Sequence, residues 1–146
     1  MKSFQIPMLS MSLLGLCLLS GLDAPPAHAD FTFGEPVSLQ RIIPVLNPAN
    51  DIVCSCTLDG LEMYIHSGKG RAGGQGNFDV WVLKRGSVDA DWGPPENLGP
   101  AVNSPSSDTN PAISPDGLTL YFTSSRSGGY GGDDLYMTTR ATRNAP

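Results

Sequence analysis

Residues 114–140, SPDGLTLYFTSSRSGGYGGDDLYMTTR, contain the pattern from which the fold class is predicted. From Leu118 to Phe122 apolar and polar side chains alternate, and a period of two residues indicates a β-strand rather than a helix. The pair Asp116-Gly117 before it is typical of a tight hairpin turn, because glycine accepts a positive φ and aspartate can bond the nearby backbone. A glycine-rich loop and a second alternating run follow. The stretch therefore predicts a small antiparallel sheet.

The same pattern occurs a second time upstream. TLDGLEMYIHS, which contains Asp59, matches SPDGLTLYFTS, which contains Asp116, at a distance of 57 residues. FDVWVLKR, which ends at Arg85, matches DDLYMTTR, which ends at Arg140, at a distance of 55 residues. The difference of two residues falls in the loop, where insertions are tolerated best. Each copy thus predicts an inner strand, a turn, a second strand, a loop and a third strand.

A further element completes the unit. WGPPENL, residues 92–98, follows the third strand of the first copy and matches FGEPVSL, residues 33–39. We interpret this element as a fourth, outer strand. The predicted organisation is blade one at about 51–98, blade two at about 108–140, and a preceding outer strand at about 31–40.

Four short antiparallel strands in a unit of this length are typical of a β-propeller blade. The strings SPDGLTLYFTSSRSGGYGGDDLYMTTR and WGPPENLGPAVNSPSSDTNPAIS resemble the WD40-like β-propeller repeat of the TolB type, and the resemblance extends from Phe31 to Arg140. In the first copy Leu58 replaces the turn proline. The resemblance implies an all-β fold of two four-stranded antiparallel blades, which is a partial β-propeller.

The N-terminal residues have the features of a targeting segment. Lys2 gives a short positive start, an apolar run follows, and Ala27 and Ala29 offer the small side chains of a cleavage site. We interpret residues 1–29 as a secretory signal peptide and residues 30–146 as the exported repeat region. The expected location is periplasmic or extracellular.

The apolar run is broken by serines and followed by Pro25 and Pro26, so it is too short for a stable transmembrane helix. We expect no membrane span in the mature protein, with an uncleaved anchor or lipid attachment at Cys17 as the alternatives. Removal of the segment takes away one charge of each sign, and the mature net charge stays at −5. An acidic surface without a basic stripe repels phosphates, so no nucleic acid is expected as a partner.

The mature part keeps two cysteines, Cys54 and Cys56, on the predicted inner strand. Residues separated by one point to the same face of a strand. A disulfide between them would close a very short loop and would stabilise little. We interpret both as small buried apolar side chains, with a local disulfide or metal binding as the alternatives. A tetrahedral metal site needs four ligands, and His66 is the single mature histidine, so no metal or other cofactor is expected.

Groups that could perform catalysis are few, and the sequence disfavours an enzyme. His66, the single candidate base, is expected to be partly exposed at the end of a strand. Asp133 and Asp134 are neighbours and point to opposite faces, which disfavours a carbohydrate-active enzyme. GGYGGD, beginning at Gly128, matches one unit of a glycine-rich calcium repeat, but such sites need tandem copies. We expect a flexible loop instead, whose end Asp134 and its counterpart Asp79 tie down through backbone N–H groups.

The loops between the second and third strands share one face of a propeller, and loops held by a stiff sheet are where propellers bind. This face contains the candidate binding residues Lys69, Arg71, Gln75, Asn77, Arg126, Tyr130 and Asp133. The resemblance suggests a protein or a cell-envelope component as the partner. The leading hypothesis is an exported interaction module, and the alternatives are a truncated remnant of a longer propeller protein and a carbohydrate-active enzyme.

Two blades leave apolar sheet faces without a neighbour. We expect two apolar sheet faces, such as those bearing Leu118, Leu120 and Phe122 or Val80 and Val82, to stay open. The outer strand at 33–39 precedes the first blade, whereas the second blade stops after its third strand. Strand donation between copies, which gives a head-to-tail homo-oligomer, is one prediction, and a marginally folded monomer is the other.

Overall fold

The structure is a computed structural model, and it describes residues 34–47 and 50–143. The chain divides into the units Met1–Glu35 and Pro36–Pro146, and the description below concerns the second unit. The predicted signal peptide and the first residues of the predicted preceding strand lie outside the described residues. Within the described ranges, no helix has the length and apolar character that crossing a membrane requires.

The described part of the chain forms two antiparallel β-sheets and one helical turn, which confirms the all-β class. In chain order the elements are α1 (Leu39–Ile42), β1 (Asp51–Cys56), β2 (Glu62–Gly68), β3 (Phe78–Lys84), β4 (Glu96–Asn97), β5 (Asp108–Ile113), β6 (Thr119–Ser124) and β7 (Asp134–Thr139). The first sheet has the order β1-β2-β3-β4 and the second the order β5-β6-β7. Among the described residues the second sheet thus has three strands instead of the four of a complete blade.

Each sheet begins with the hairpin that its Asp-Gly pair predicts. Asp59 Oδ1 accepts a hydrogen bond from the Leu61 N–H at 3.1 Å, and Gly60 has a φ of +67°. The second hairpin repeats this arrangement at Asp116 and Gly117, whose φ is +75°. A side chain at either glycine would strain the backbone. The turn chemistry therefore fixes both strand pairings locally.

The main core lies between the two sheets, where the faces that were expected to stay open bury each other. The prediction of open faces at these positions was wrong, because each sheet provides the neighbour that the other needs. The buried apolar side chains are Tyr64, Val80 and Val82 of the first sheet, Leu120 and Phe122 of the second, and Val102 of the segment that connects them.

A second core covers the other face of the first sheet. Here Ile43 and Leu46, which follow α1, pack on side chains of β2 and β3. No described segment covers the opposite face of the second sheet. Tyr121, Leu135 and Met137 are exposed on it at 50%, 85% and 62%. The open apolar face of this molecule therefore belongs to the second sheet and lies on the side away from the first.

The outer strands differ from the prediction. β4 contains two residues rather than seven, with Asn97 opposite Trp81 and Glu96 opposite Val82. The prolines before it lack the N–H group that a longer ladder needs. In the described part of the predicted preceding strand, residues 34–38 form no strand and Leu39 already belongs to α1. For these described residues the single chain has no strand, because a strand needs a partner for its hydrogen bonds.

Candidate functional site

The second sheet carries a buried ion pair at its loop end. The Asp108 side chain is fully buried and accepts hydrogen bonds from Arg126 Nη2 at 2.7 Å and from the Ser104 N–H at 2.6 Å. The Arg126 guanidinium also lies 4.8 Å from the centre of the Tyr136 ring. Arg126, a candidate binding residue, is therefore engaged within its own sheet and with the connecting segment, where it donates to the Val102 carbonyl.

The first sheet repeats this arrangement. Arg71 pairs with Asp51, whose side chain is 1% exposed, and its guanidinium lies 5.5 Å from the centre of the Trp81 ring. Sequence reasoning assigned Arg71 and Arg126 to the binding face and missed this internal role. The sequence repeat could have indicated this ion pair. The two aspartates are 57 residues apart and the two arginines 55, so each copy of the repeat contains one aspartate and one arginine at matching positions.

The predicted tethering of the loops is confirmed. Asp79 Oδ2 accepts a hydrogen bond from the Gln75 N–H at 2.9 Å, and Asp134 Oδ2 accepts one from the Gly131 N–H at 3.2 Å. Both carboxylates thus hold the loop that precedes their strand. Tyr130, at the tip of the second loop, is fully exposed.

A groove of about 710 Å³ lies where the loop ends of the two sheets meet. It is lined by Asn50, Asp51, Ile52, Gly68, Lys69, Asn77, Phe78 and Ser107. Two candidate binding residues, Lys69 and Asn77, are therefore brought to one surface, beside exposed apolar side chains of Ile52 and Phe78. Gln75, Tyr130 and Asp133 are not among the lining residues.

Backbone contacts hold the walls of this groove together. The Asn77 N–H donates to the Ser106 carbonyl at 3.0 Å, and Phe78 forms a parallel bridge with Ser107. The groove therefore lies at the joint between the sheets, which main-chain contacts hold together. A surface of this kind is preorganised for binding.

A second joint between the sheets involves Cys54 and His66. Cys54 lies at a bulge of β1, and its Sγ is 3.5 Å from His66 Nδ1, which accepts a hydrogen bond from the Asn110 N–H at 3.1 Å. Partial desolvation raises the pKa of the Cys54 thiol, and burial lowers the pKa of His66. Both groups are thus favoured in their neutral forms, whereas a nucleophilic cysteine needs its thiolate. We interpret the contact as structural.

Two sequence expectations are corrected at this joint. Cys54 and Cys56 are exposed rather than buried, because β1 is the first strand of its sheet. His66 is buried, with 6% of its surface exposed, rather than partly exposed, because its ring packs edge-on against Phe78. Both cysteines are free thiols in the structure.

We expect Cys54 and Cys56 to be free thiols that alkylate slowly at neutral pH. Partial desolvation raises the pKa of both thiols, so the thiolate fraction is small at pH 7 and grows as the pH rises. Intact mass after iodoacetamide treatment at several pH values measures this, with urea-unfolded protein as the control for the intrinsic rate. A disulfide-bonded protein that takes up no label would contradict the prediction.

A cavity of about 680 Å³ lies between the sheets near the hairpin turns. Glu62, which is buried at its wall, accepts hydrogen bonds from the Tyr64 hydroxyl at 2.9 Å and from Arg140 Nη2 at 2.6 Å. Burial and the adjacent Glu62 charge raise the pKa of Tyr64. Arg140 directly follows β7 of the second sheet, whereas Glu62 lies in β2 of the first. Their ion pair therefore connects the two sheets.

In the part of the chain that the structure describes, no group of three or more His, Cys, Asp and Glu side chains is placed to hold a metal ion. Comparison of the chain with family models, with curated proteins and with solved structures finds no match. The molecule is therefore defined by its fold and surfaces, as an all-β protein of two packed antiparallel sheets.

Proposed function

We propose that this protein is an exported, non-catalytic interaction module of the β-propeller repeat type, which binds a protein or another component of the cell envelope. One observation carries the proposal, namely the groove at the joint between the sheets, which combines Lys69 and Asn77 with apolar Ile52 and Phe78. Mixed polar and apolar lining on a rigid frame is typical of binding surfaces.

The remaining polar groups at this end of the sheets support the same proposal. Arg71 and Arg126 are paired with buried aspartates, and Asp79 holds its loop. These side chains shape the loops, which leaves Lys69 and Asn77 as the groove residues available to a partner. An amine and an amide beside apolar surface suit a polypeptide, which offers carboxylates, carbonyl groups and apolar side chains together.

A crosslinking experiment tests the proposal. A photo-reactive residue at Asn77, introduced into the protein in its producing cells, should give a discrete adduct, and Ile52→Asp should reduce the adduct at least tenfold. Ile52 is 55% exposed, so a charge there interferes with binding without unfolding the sheet.

The matched control is Val88→Asp, because Val88 is 57% exposed and lies outside the groove. It should leave the adduct unchanged. Equal adducts from the unchanged protein and from Ile52→Asp, or no adduct from Asn77 at all, would rule out the groove as the binding site.

The second candidate function is a structural part of a larger propeller, and the exposed face with Tyr121, Leu135 and Met137 favours it. In that case the face would be covered by a further blade. The molar mass of the purified protein in solution distinguishes a second copy of this chain from a blade of another protein.

A further inference from the structure

The core between the two sheets is assembled from three parts. The first sheet contributes Tyr64, Val80 and Val82, and the connecting segment contributes Val102. The second sheet contributes Leu120 and Phe122, with Tyr136 packed against them. The sequence repeat relates each of these parts to a second set of residues in the same chain.

The core on the other face of the first sheet contains two of these three parts. Met63, Ile65 and Trp81 occupy the repeat positions of Leu120, Phe122 and Tyr136. Ile43 and Leu46 take the place that Val102 has in the first core. The missing part is the counterpart of Tyr64, Val80 and Val82, and the repeat identifies it as Tyr121, Leu135 and Met137. These are the three exposed side chains of the open face.

Both connecting segments contain a backbone hydrogen bond between residues four apart, as in one turn of a helix. In the segment after β4, the Asn103 N–H donates to the Gly99 carbonyl at 2.8 Å. In the segment before β1, the Ile43 N–H donates to the Leu39 carbonyl at 2.7 Å. In each segment a backbone N–H donates to the aspartate that begins the next strand. The donors are the Ser104 N–H to Asp108 and the Asn47 N–H to Asp51.

An outer strand precedes the connecting segment in the complete copy. Glu96 and Asn97 form β4 and pair with β3. The corresponding Val37 and Ser38 pair with no described strand, and Val37 is 61% exposed. The outer edge of β7 is likewise unpaired among the described residues. An unpaired edge and an apolar face are both surfaces that proteins normally cover.

We propose that a second copy of this chain covers both surfaces. Val37 and Ser38 of one copy add to β7 of the other as its fourth strand, antiparallel, with Val37 opposite Met137 and Ser38 opposite Tyr136. This register follows from β4, where Glu96 lies opposite Val82 and Asn97 opposite Trp81.

In the same contact the open face of one copy packs on the segment that covers the first sheet of the other, where Leu39, Ile42 and Val45 are exposed at 45%, 57% and 40%. Tyr121, Leu135 and Met137 lie against the outer side of this segment, whose Ile43 and Leu46 pack inward on the first sheet. Two different surfaces meet, so the contact is heterologous and joins copies head to tail. A second copy is favoured over an unrelated partner because it supplies a fourth strand for β7 and an apolar cover for the open face together, in the order in which the chain itself uses them between its own two sheets.

Size measurement of the exported protein by light scattering is the first test. We expect an assembly of two or more copies. Leu135→Asp, which damages the accepting face, and deletion of residues 31–38, which removes the donated strand, should each give a monomer with an unchanged far-UV circular dichroism spectrum. Val88→Asp, at a similarly exposed site outside the contact, should keep the assembly. An unchanged protein that stays monomeric at its highest soluble concentration overturns the proposal.

Mixing the two defective variants tests the head-to-tail geometry. Leu135→Asp still has its strand to donate, and the deletion variant still has an intact face. An equimolar mixture should therefore form a dimer with one intact contact and should grow no further. If the mixture stays monomeric although the unchanged protein assembles, the contact is symmetric or has another origin, and the proposal is wrong.

Disulfide trapping tests the register. With Cys54 and Cys56 replaced by serine, the pair Val37→Cys and Met137→Cys should form intermolecular disulfides under mild oxidation, because opposed residues bring their Cβ atoms within bonding range. The pair Val37→Cys and Tyr136→Cys points to opposite faces and should remain reduced. Crosslinking within one chain, or preferential crosslinking of the second pair, would contradict the proposed strand donation.

Discussion

Replacement of Asp108 by alanine should lower the free energy of unfolding by about 3–5 kcal/mol, the cost of breaking a buried ion pair. The Asp108 side chain is 0% exposed and accepts from Arg126 and from the Ser104 N–H and hydroxyl. Its loss leaves the Arg126 guanidinium without a counter-charge beside the core between the sheets. Chemical denaturation at neutral pH measures the effect.

The pH dependence of this difference follows from the Asp108 carboxyl group. Burial raises its pKa, but hydrogen bonds from Ser124, Ser104 and Arg126 outweigh burial, and the pKa is lowered overall. The stabilisation is therefore complete above the ordinary carboxyl pKa of about 4 and is lost as the pH falls through the lower pKa of the folded state. The wild-type and Asp108→Ala proteins should converge in stability in acid.

Asp133→Ala is the control, because Asp133 is exposed in the loop and should change stability by less than about 0.5 kcal/mol. Equal effects of the two substitutions, or a difference for Asp108→Ala that persists unchanged in strong acid, would show that the ion pair does not stabilise the fold.

Gly76→Ala should lower the free energy of unfolding by about 3 kcal/mol, at the upper end of the usual cost of overpacking. A Cβ at Gly76 would lie 1.9 Å from the Ser106 carbonyl oxygen and 2.6 Å from that of Ser104. Both obstacles are backbone atoms, so a side-chain rotation cannot relieve the clash. The loop must instead move away from the second sheet and give up the hydrogen bond from the Asn77 N–H.

Gly86→Ala is the matched control for this substitution. A Cβ there meets nothing within 4 Å and the backbone has no positive φ, so the change should stay within about 1 kcal/mol. Thermal unfolding of both variants and of the unchanged protein measures the difference in stability. If Gly76→Ala is as stable as Gly86→Ala, the close approach of the two loops does not exist in solution.

The groove and the self-assembly contact lie on different surfaces, which makes the two proposals separable. Ile52 lines the groove, and Leu135 lies on the open face of the second sheet. Ile52→Asp should reduce crosslinking without changing the size of the assembly. Leu135→Asp should change the size first, and any loss of crosslinking then reports how far binding depends on assembly.

The sequence alone determined the local structure of this protein. The alternation from Leu118 to Phe122 and its earlier copy predicted strands, and the turns at Asp59-Gly60 and Asp116-Gly117 predicted hairpins, as the structure has them. The tethering of loops by Asp79 was also predictable. All of these depend on residues close together in the chain, where spacing and side-chain type fix the conformation.

The tertiary structure was needed to show which surfaces are buried and which side chains have no partner within the described residues. Both faces of each sheet carry apolar residues, so the sequence could not tell that Leu120 is buried and Leu135 exposed. Nor could it tell that Arg71 and Arg126 bind aspartates rather than a partner, or that the first strand leaves Cys54 exposed. Whether a side chain is buried or forms an ion pair depends on a segment that is distant in the sequence. Because both faces of each repeat are apolar, the packing of the two sheets determines which face is buried.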